Sequence, residues 1–190
     1  TTLFRSPQMG KYVEMVIQEE LAKKLVVILE NAPLYPALDN LRFTRELRYL
    51  NLSNNPQTLQ IKMLEAFPPL KKLIKLDLSG NKLMQLPSEE FFRKLPKLKI
   101  LYLHDNYLAN DKFIHSLSPL TELIYITIFN NPIEKRDARN KLIRALDSLK
   151  AVDFRAVIDA ERGLSVPKSI LKQRIRDSKL IWPLYLCNDY

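Results

Sequence analysis

Two histidines, one cysteine and 21 carboxylates are the first candidates this chain offers for acid–base, nucleophilic or metal chemistry. A catalytic centre needs a base beside a nucleophile and a third group that orients the base. His104 and Asp105 are neighbours in sequence, yet in an extended run alternation sends their side chains apart, so they make a poor pair. His115 falls on or near a helical stretch away from His104, and Cys187 lies close to the last residue. Such a set cannot close a clustered zinc site. Gly10, Gly80 and Gly163 are too widely separated to build a phosphate loop. The expectation is no enzyme, no metal and no cofactor.

What remains is recognition chemistry, carried by Tyr49, Lys75, Ile100, Tyr102, His104, Tyr125, Phe129 and Arg155. Their meaning depends on a hydrophobic period of 25 to 26 residues. Leu47, Leu50, Leu52 and Asn55 recur as Leu73, Leu76, Leu78 and Asn81, then as Leu98, Leu101, Leu103 and Asn106, and again as Leu123, Ile126, Ile128 and Asn131. Four registered copies of L-x-x-L-x-L-x-x-N predict an α/β leucine-rich repeat solenoid, with short parallel concave strands, convex helices or turns and a C-terminal cap. The middle apolar pair points inward, so the residues between and beside it point out on the concave side. Stacked strands lie about 4.8 Å apart. That spacing groups Ile100, Tyr102, His104, Tyr125 and Phe129, and an outward aromatic group with polar tips suits a protein-binding hot spot. The ladder Asn is expected to bond backbone groups in the turn that leaves each strand.

Four segments follow from this register. Residues 1–46 hold a helix over 11–24 and a degenerate opening repeat, in which Val26, Ile28 and Asn31 take the repeat positions and Lys23 replaces the first Leu. Residues 47–132 are the four-repeat core, with a convex helix through Met63, Leu64, Phe67 and Leu70 that ends at Pro68-Pro69. A second runs through Phe91, Phe92, Leu95 and Leu98, starting at Ser88 and stopping at Pro96, and a third through Phe113, Ile114, Leu117 and Leu120 stops near Pro119. Residues 133–163 form the C-terminal cap, with a longer helix from Ala138 to Leu149. There Leu149, Val152 and Phe154 restore the repeat phase and Val157 stands where Asn should. Residues 164–190 carry a short basic helix and an apolar tail in which Trp182 and Tyr185 are possible docking residues.

The net charge of +9 permits an acidic partner but selects none. Modest positive charge on the central concave face argues against nucleic acid. The lone Cys187 excludes an internal disulfide and favours a reducing compartment. No apolar stretch approaches the roughly 20 residues that span a bilayer, so no membrane partner is expected. The start at Thr1, without an initiator Met or an apolar leader, reads as a piece of something longer.

Asn131-Pro132, Arg139, Leu149, Val152-Asp153 and Glu161-Arg162 resemble the C-terminal cap of intracellular leucine-rich repeat proteins, although Ala138 replaces the usual aromatic. That class includes the phosphatase-1 regulatory subunit, the spliceosomal A-prime protein and axonemal dynein light chain 1, all non-enzymatic adaptors. LIKLDLSGNKLMQLPSEEFFRKLPKLKILYLHDNYLAN, from Leu73 to Asn110, and LIYITIFNNPI, from Leu123 to Ile133, are similar to the leucine-rich repeat and IQ motif-containing protein 3 family, with LYLHDN the most specific piece. This resemblance implies an adaptor in the cytoplasm and cytoskeleton, in a cilium or flagellum axoneme. Its implied partners are axonemal helical or coiled-coil proteins, with calmodulin bound only through an IQ segment outside this chain. The alternatives are a spliceosomal-type ribonucleoprotein assembly protein and a phosphatase regulatory subunit. The last needs an acidic concave face, against which Lys75 argues mildly.

Overall fold

Each copy of the apolar pattern makes a strand of only three residues, because the chain must turn back to bury the next leucines. The structure, a computed structural model, describes residues 26–30, 34, 46–133 and 135–163. The helix expected over 11–24, and Trp182 and Tyr185 in the tail, lie outside the described residues. Strands β1 (Val26–Ile28), β2 (Tyr49–Asn51), β3 (Lys75–Asp77), β4 (Ile100–Tyr102), β5 (Tyr125–Thr127) and β6 (Ala151–Val152) stack in parallel and in sequence order. A seventh, β7 (Arg155–Ala156), turns back antiparallel on β6. The sheet is thus the concave wall of a leucine-rich repeat solenoid.

Leu50, Leu76, Leu101, Ile126 and Val152 share one register position and are all buried. The strands sit against short convex helices α1 (Ile61–Glu65), α2 (Glu89–Arg93) and α3 (Phe113–Ser116), whose Leu64, Phe91, Phe92, Phe113 and Ile114 close the core. These helices stop a few residues before the expected prolines. Ser88 does precede α2, but its side chain does not cap that helix; its hydroxyl donates to Glu65 Oε2 of the previous repeat at 2.9 Å. The fourth helix, α4 (Lys135–Ala145), is longer than the other three, and it both begins and ends earlier than the expected Ala138–Leu149.

Buried asparagines bind the repeats to one another. Asn106 Nδ2 donates to the carbonyls of Leu103 (3.0 Å) and His104 (3.2 Å) in its own turn and of Leu78 (2.9 Å) in the previous repeat. Its Oδ1 accepts from Asn81 N–H at 3.1 Å and Leu83 N–H at 2.9 Å. Asn55, Asn81 and Asn131 repeat the same donor triplet. The bridging role expected of these residues is what the structure shows.

Two expectations fail at the ends. In the opening repeat the register slips by one: Val27, not Val26, pairs with Leu50, and Leu29 is buried while Val26 is 44% exposed. A one-residue shift swaps the faces of a strand, and it brings the larger Leu29 inward. At the other end Phe154 does not continue the inner row. Asp153 adopts a positive φ of 54°, the chain reverses over Asp153–Phe154, and the ring is left 65% exposed.

Asn106→Ala should cost about 3 kcal/mol or more in chemical denaturation, because several buried backbone groups lose their partner together. Asn110→Ala, at an exposed turn, should cost less than about 1 kcal/mol. Gly80→Ala should also destabilise, by about 1 kcal/mol for its φ of +66° alone. A further loss follows because the new Cβ would collide with Asn54 Oδ1.

Candidate functional site

The concave face is assembled by register. Tyr49, Lys75, Ile100, Tyr125 and Ala151 form one row, and Asn51, Asp77, Tyr102 and Thr127 form the next. Beyond the strand ends the rows continue, because Asn54 N–H donates to Ser79 O, Gly80 N–H to His104 O and Asp105 N–H to Phe129 O. Beside Tyr49 and Lys75 the first two repeats contribute small polar groups such as Asn51, Ser53 and Ser79, whereas most of the rings come from the third and fourth.

Lys75 is clamped between two rings, its Nζ lying 4.5 Å from the Tyr49 centroid and 4.9 Å from that of Tyr102. Cation–π contacts of this kind allow an ammonium group to sit on a largely covered face. Tyr102 meets Tyr125 edge to face at 5.8 Å and His104 at 5.9 Å. His104 then stacks on Phe129 at 4.4 Å with planes 13° apart, and Phe129 leans on Phe154 at 5.1 Å. His104 Nδ1 is hydrogen-bonded to Thr127 Oγ1 at 2.8 Å, which fixes the ring for that stack.

These contacts alter the picture of open aromatics. Tyr102 and Tyr125 are only 8% and 6% exposed, and with Ala151 they make a small second apolar cluster on which Ile100 and Ile124 pack. Rings on strands about 4.8 Å apart cover one another. Tyr49, Ile100, His104 and Phe129 are half-buried. Arg155 falls outside the concave rows: it stands opposite Val152 on the antiparallel strand, so it shares a face with a core residue. Phe154, read from its phase as an inner residue, instead ends the aromatic run. The missing Asn at that repeat was the available signal that the chain would turn there.

His104 and Asp105 are closer than alternation implies, with Nε2 and Oδ2 at 3.9 Å. Both lie past the end of β4, and Asp105 has a φ of 56°, so strand geometry no longer separates them. The contact is long, and the hydroxyl that meets His104, that of Thr127, is buried. Among the described residues no group of three His, Cys, Asp or Glu could hold a metal ion.

The cap holds the last strands in place. Arg139 donates to both carboxylate oxygens of Glu161 (2.8 and 2.9 Å) and to the carbonyls of Val152, Arg155 and Ala156. Burial raises the Glu161 pKa, but the hydrogen bonds from Arg139 and from Ile158 N–H outweigh it and hold the carboxyl below its ordinary value. Asp153 Oδ1 accepts from Ile128 and Phe129 N–H at 2.6 and 2.9 Å, which ties the aromatic row to the hairpin.

A family profile described as leucine-rich repeat matches residues 34–173. Leucine-rich repeat and IQ domain-containing protein 3 of Rattus norvegicus is 36% identical over 151 residues, covering 79% of this chain and 23% of that protein. U2 small nuclear ribonucleoprotein A' of Arabidopsis thaliana is 32% identical over 130 residues, covering 67% of this chain and 50% of that protein. The chain therefore spans about a quarter of the first relative and half of the second. The crystal structure of the Drosophila melanogaster SNF/U2A' complex contains a similar fold, with a TM-score of 0.59 and 21% identity, over 78% of this chain and 86% of that one. Among the described residues no helix is long and apolar enough to cross a membrane.

Burial, helped by the negative charge of Asp153, pushes the Tyr125 phenol up to about 12 from an ordinary value of 10.0. Folding therefore favours the neutral phenol, and its contribution is full below pH 10 and is lost as pH rises towards 12. Tyr125→Phe should remove a late component, near pH 12, of the phenolate absorbance titration and lessen the fall in stability across that window.

Proposed function

The chain belongs to the leucine-rich repeat family, and on that premise we propose that its concave aromatic face seats a helical or extended segment of a partner protein. It is a non-catalytic protein-interaction module. The observation that carries the reading is the graded ring path from covered Tyr102 and Tyr125, through half-buried His104 and Phe129, to Phe154 at 65% exposure. A covered base with an exposed end suits docking, because the base is already ordered and little conformational entropy is lost when a ligand covers the tip. Aromatic anchors are also the residues that most often dominate binding energy at interfaces.

For the setting, a ribonucleoprotein-type assembly has the better support. The Arabidopsis relative of that name shares half its length with this chain, so the repeat domain is a large part of what that protein is. The expectation that nucleic acid plays no part is accordingly dropped: RNA is a component of the proposed assembly, with this chain attached through protein. A ciliary or axonemal adaptor is the second reading. It is favoured by the higher identity, 36%, to the Rattus relative, but three quarters of that protein, measured by length, lies beyond the match.

Affinity purification with the full chain from nuclear and from axonemal extracts separates these settings. Recovery of a ribonucleoprotein particle from the nuclear extract is expected; recovery of axonemal proteins alone would establish the second reading. Phe129→Ser with Phe154→Ser should weaken capture by about tenfold or more in either extract. Undiminished capture by a folded double variant would remove the concave-face proposal.

A further inference from the structure

One edge of the sheet carries a second ordered surface. The residues that precede β2 to β6 are Arg48, Ile74, Lys99, Ile124 and Lys150, a strict alternation of cation and isoleucine. They are held in step by the backbone. Arg48 O accepts from the N–H groups of Ile74 and Lys75, Ile74 O from Lys99 and Ile100, Lys99 O from Ile124 and Tyr125, and Ile124 O from Lys150 and Ala151. The row therefore has the strand spacing of about 4.8 Å, and its cations repeat at about 9.6 Å.

We propose that this rim docks an acidic amphipathic helix of a partner protein. A helix rises 1.5 Å per residue, so carboxylates seven residues apart stand about 10.5 Å from one another, close to the repeat of the cations. Apolar side chains three or four residues after each carboxylate then fall beside Ile74 and Ile124, both half-buried. The charges are available for this role. Arg48, Lys99 and Lys150 are exposed and enter no ion pair among the described residues, whereas Lys72 is paired with Glu46 and Lys141 with Asp137. Ile124 also packs on the Tyr102–Tyr125–Ala151 cluster, so the rim borders the concave face.

An RNA strand fits the row less well. Its phosphates would meet half-buried isoleucines at alternate steps, where an apolar side chain makes the better contact. The rim differs from the ring path in residues and in chemistry, and the proposal does not depend on the concave-face reading.

The probe is a fluorescent helical peptide of about 18 residues with Glu at seven-residue spacing and Leu between, compared with its scrambled isomer of identical charge. Fluorescence anisotropy with the full chain should show the registered peptide binding about tenfold more tightly than the isomer. Lys99→Glu should abolish that preference, while Lys62→Glu, on α1, and the Phe129→Ser, Phe154→Ser pair should retain it. Unfolding midpoints of each variant verify that the comparison is between folded chains. Equal affinity for the two peptides, an unchanged preference in Lys99→Glu, or tighter binding of a uridine-rich RNA than of the registered peptide would each overturn the proposal.

Discussion

Everything in this molecule depends on how a buried turn satisfies its backbone. Strands β2 to β5 are each left after three residues, at a point where the carbonyl groups of the turn are buried. The ladder asparagine answers with one amide: its nitrogen serves two carbonyls of its own turn and one of the previous repeat, while its oxygen takes N–H groups from neighbouring chain. A net gain of about 1 kcal/mol per hydrogen bond understates the effect, because leaving such groups unpaired costs about 1–3 kcal/mol each. Among the described residues no buried side-chain nitrogen or oxygen lacks a partner.

The turn imposes a second condition. The residue before each ladder asparagine adopts a left-handed conformation: Asn54, Gly80, Asp105 and Asn130 have φ between 54° and 66°. Asn, Asp and Gly are the types that bear this conformation at least cost. These residues also bond along the stack, Asn54 to Glu30 and Asn130 to Asp105. Gly80 interrupts that row because Asn54 already fills the space of a side chain there. The geometry that closes the turn thus also turns Asp105 towards His104, and so decides what stands at the end of the aromatic path.

Periodicity made the core, the ladder and the concave rows readable from residue types alone. Leu50, Leu76, Leu101 and Ile126 occupy their expected places because four mutually consistent copies leave no other register. The ends resisted, since there each copy stands by itself. In the opening repeat Val26, Val27, Ile28 and Leu29 are all apolar, and a run of that kind carries no alternation to choose between two registers. Burial along the concave rows was equally hidden. Alternation states which side a ring points to, whereas its exposure depends on neighbours in other repeats, as the mutual covering of Tyr102 and Tyr125 shows.

A solenoid must also stop without leaving an open edge, and the way this one stops shapes the face it presents. An open parallel edge would invite further strands. Here the chain folds β7 back on β6, and Arg139 fastens the hairpin by spending five donor contacts on three of its carbonyls and on Glu161. Arg162 does the same for α4 and the following turn, donating to Ile143 O at 2.9 Å and Leu149 O at 2.6 Å. The reversal at Asp153 replaces the ladder asparagine with a carboxylate that accepts from Ile128 and Phe129, and it throws Phe154 out beside Phe129. Closing the edge and extending the aromatic path are therefore consequences of one turn, and a residue that looked like the last core position becomes the outermost ring of the concave face.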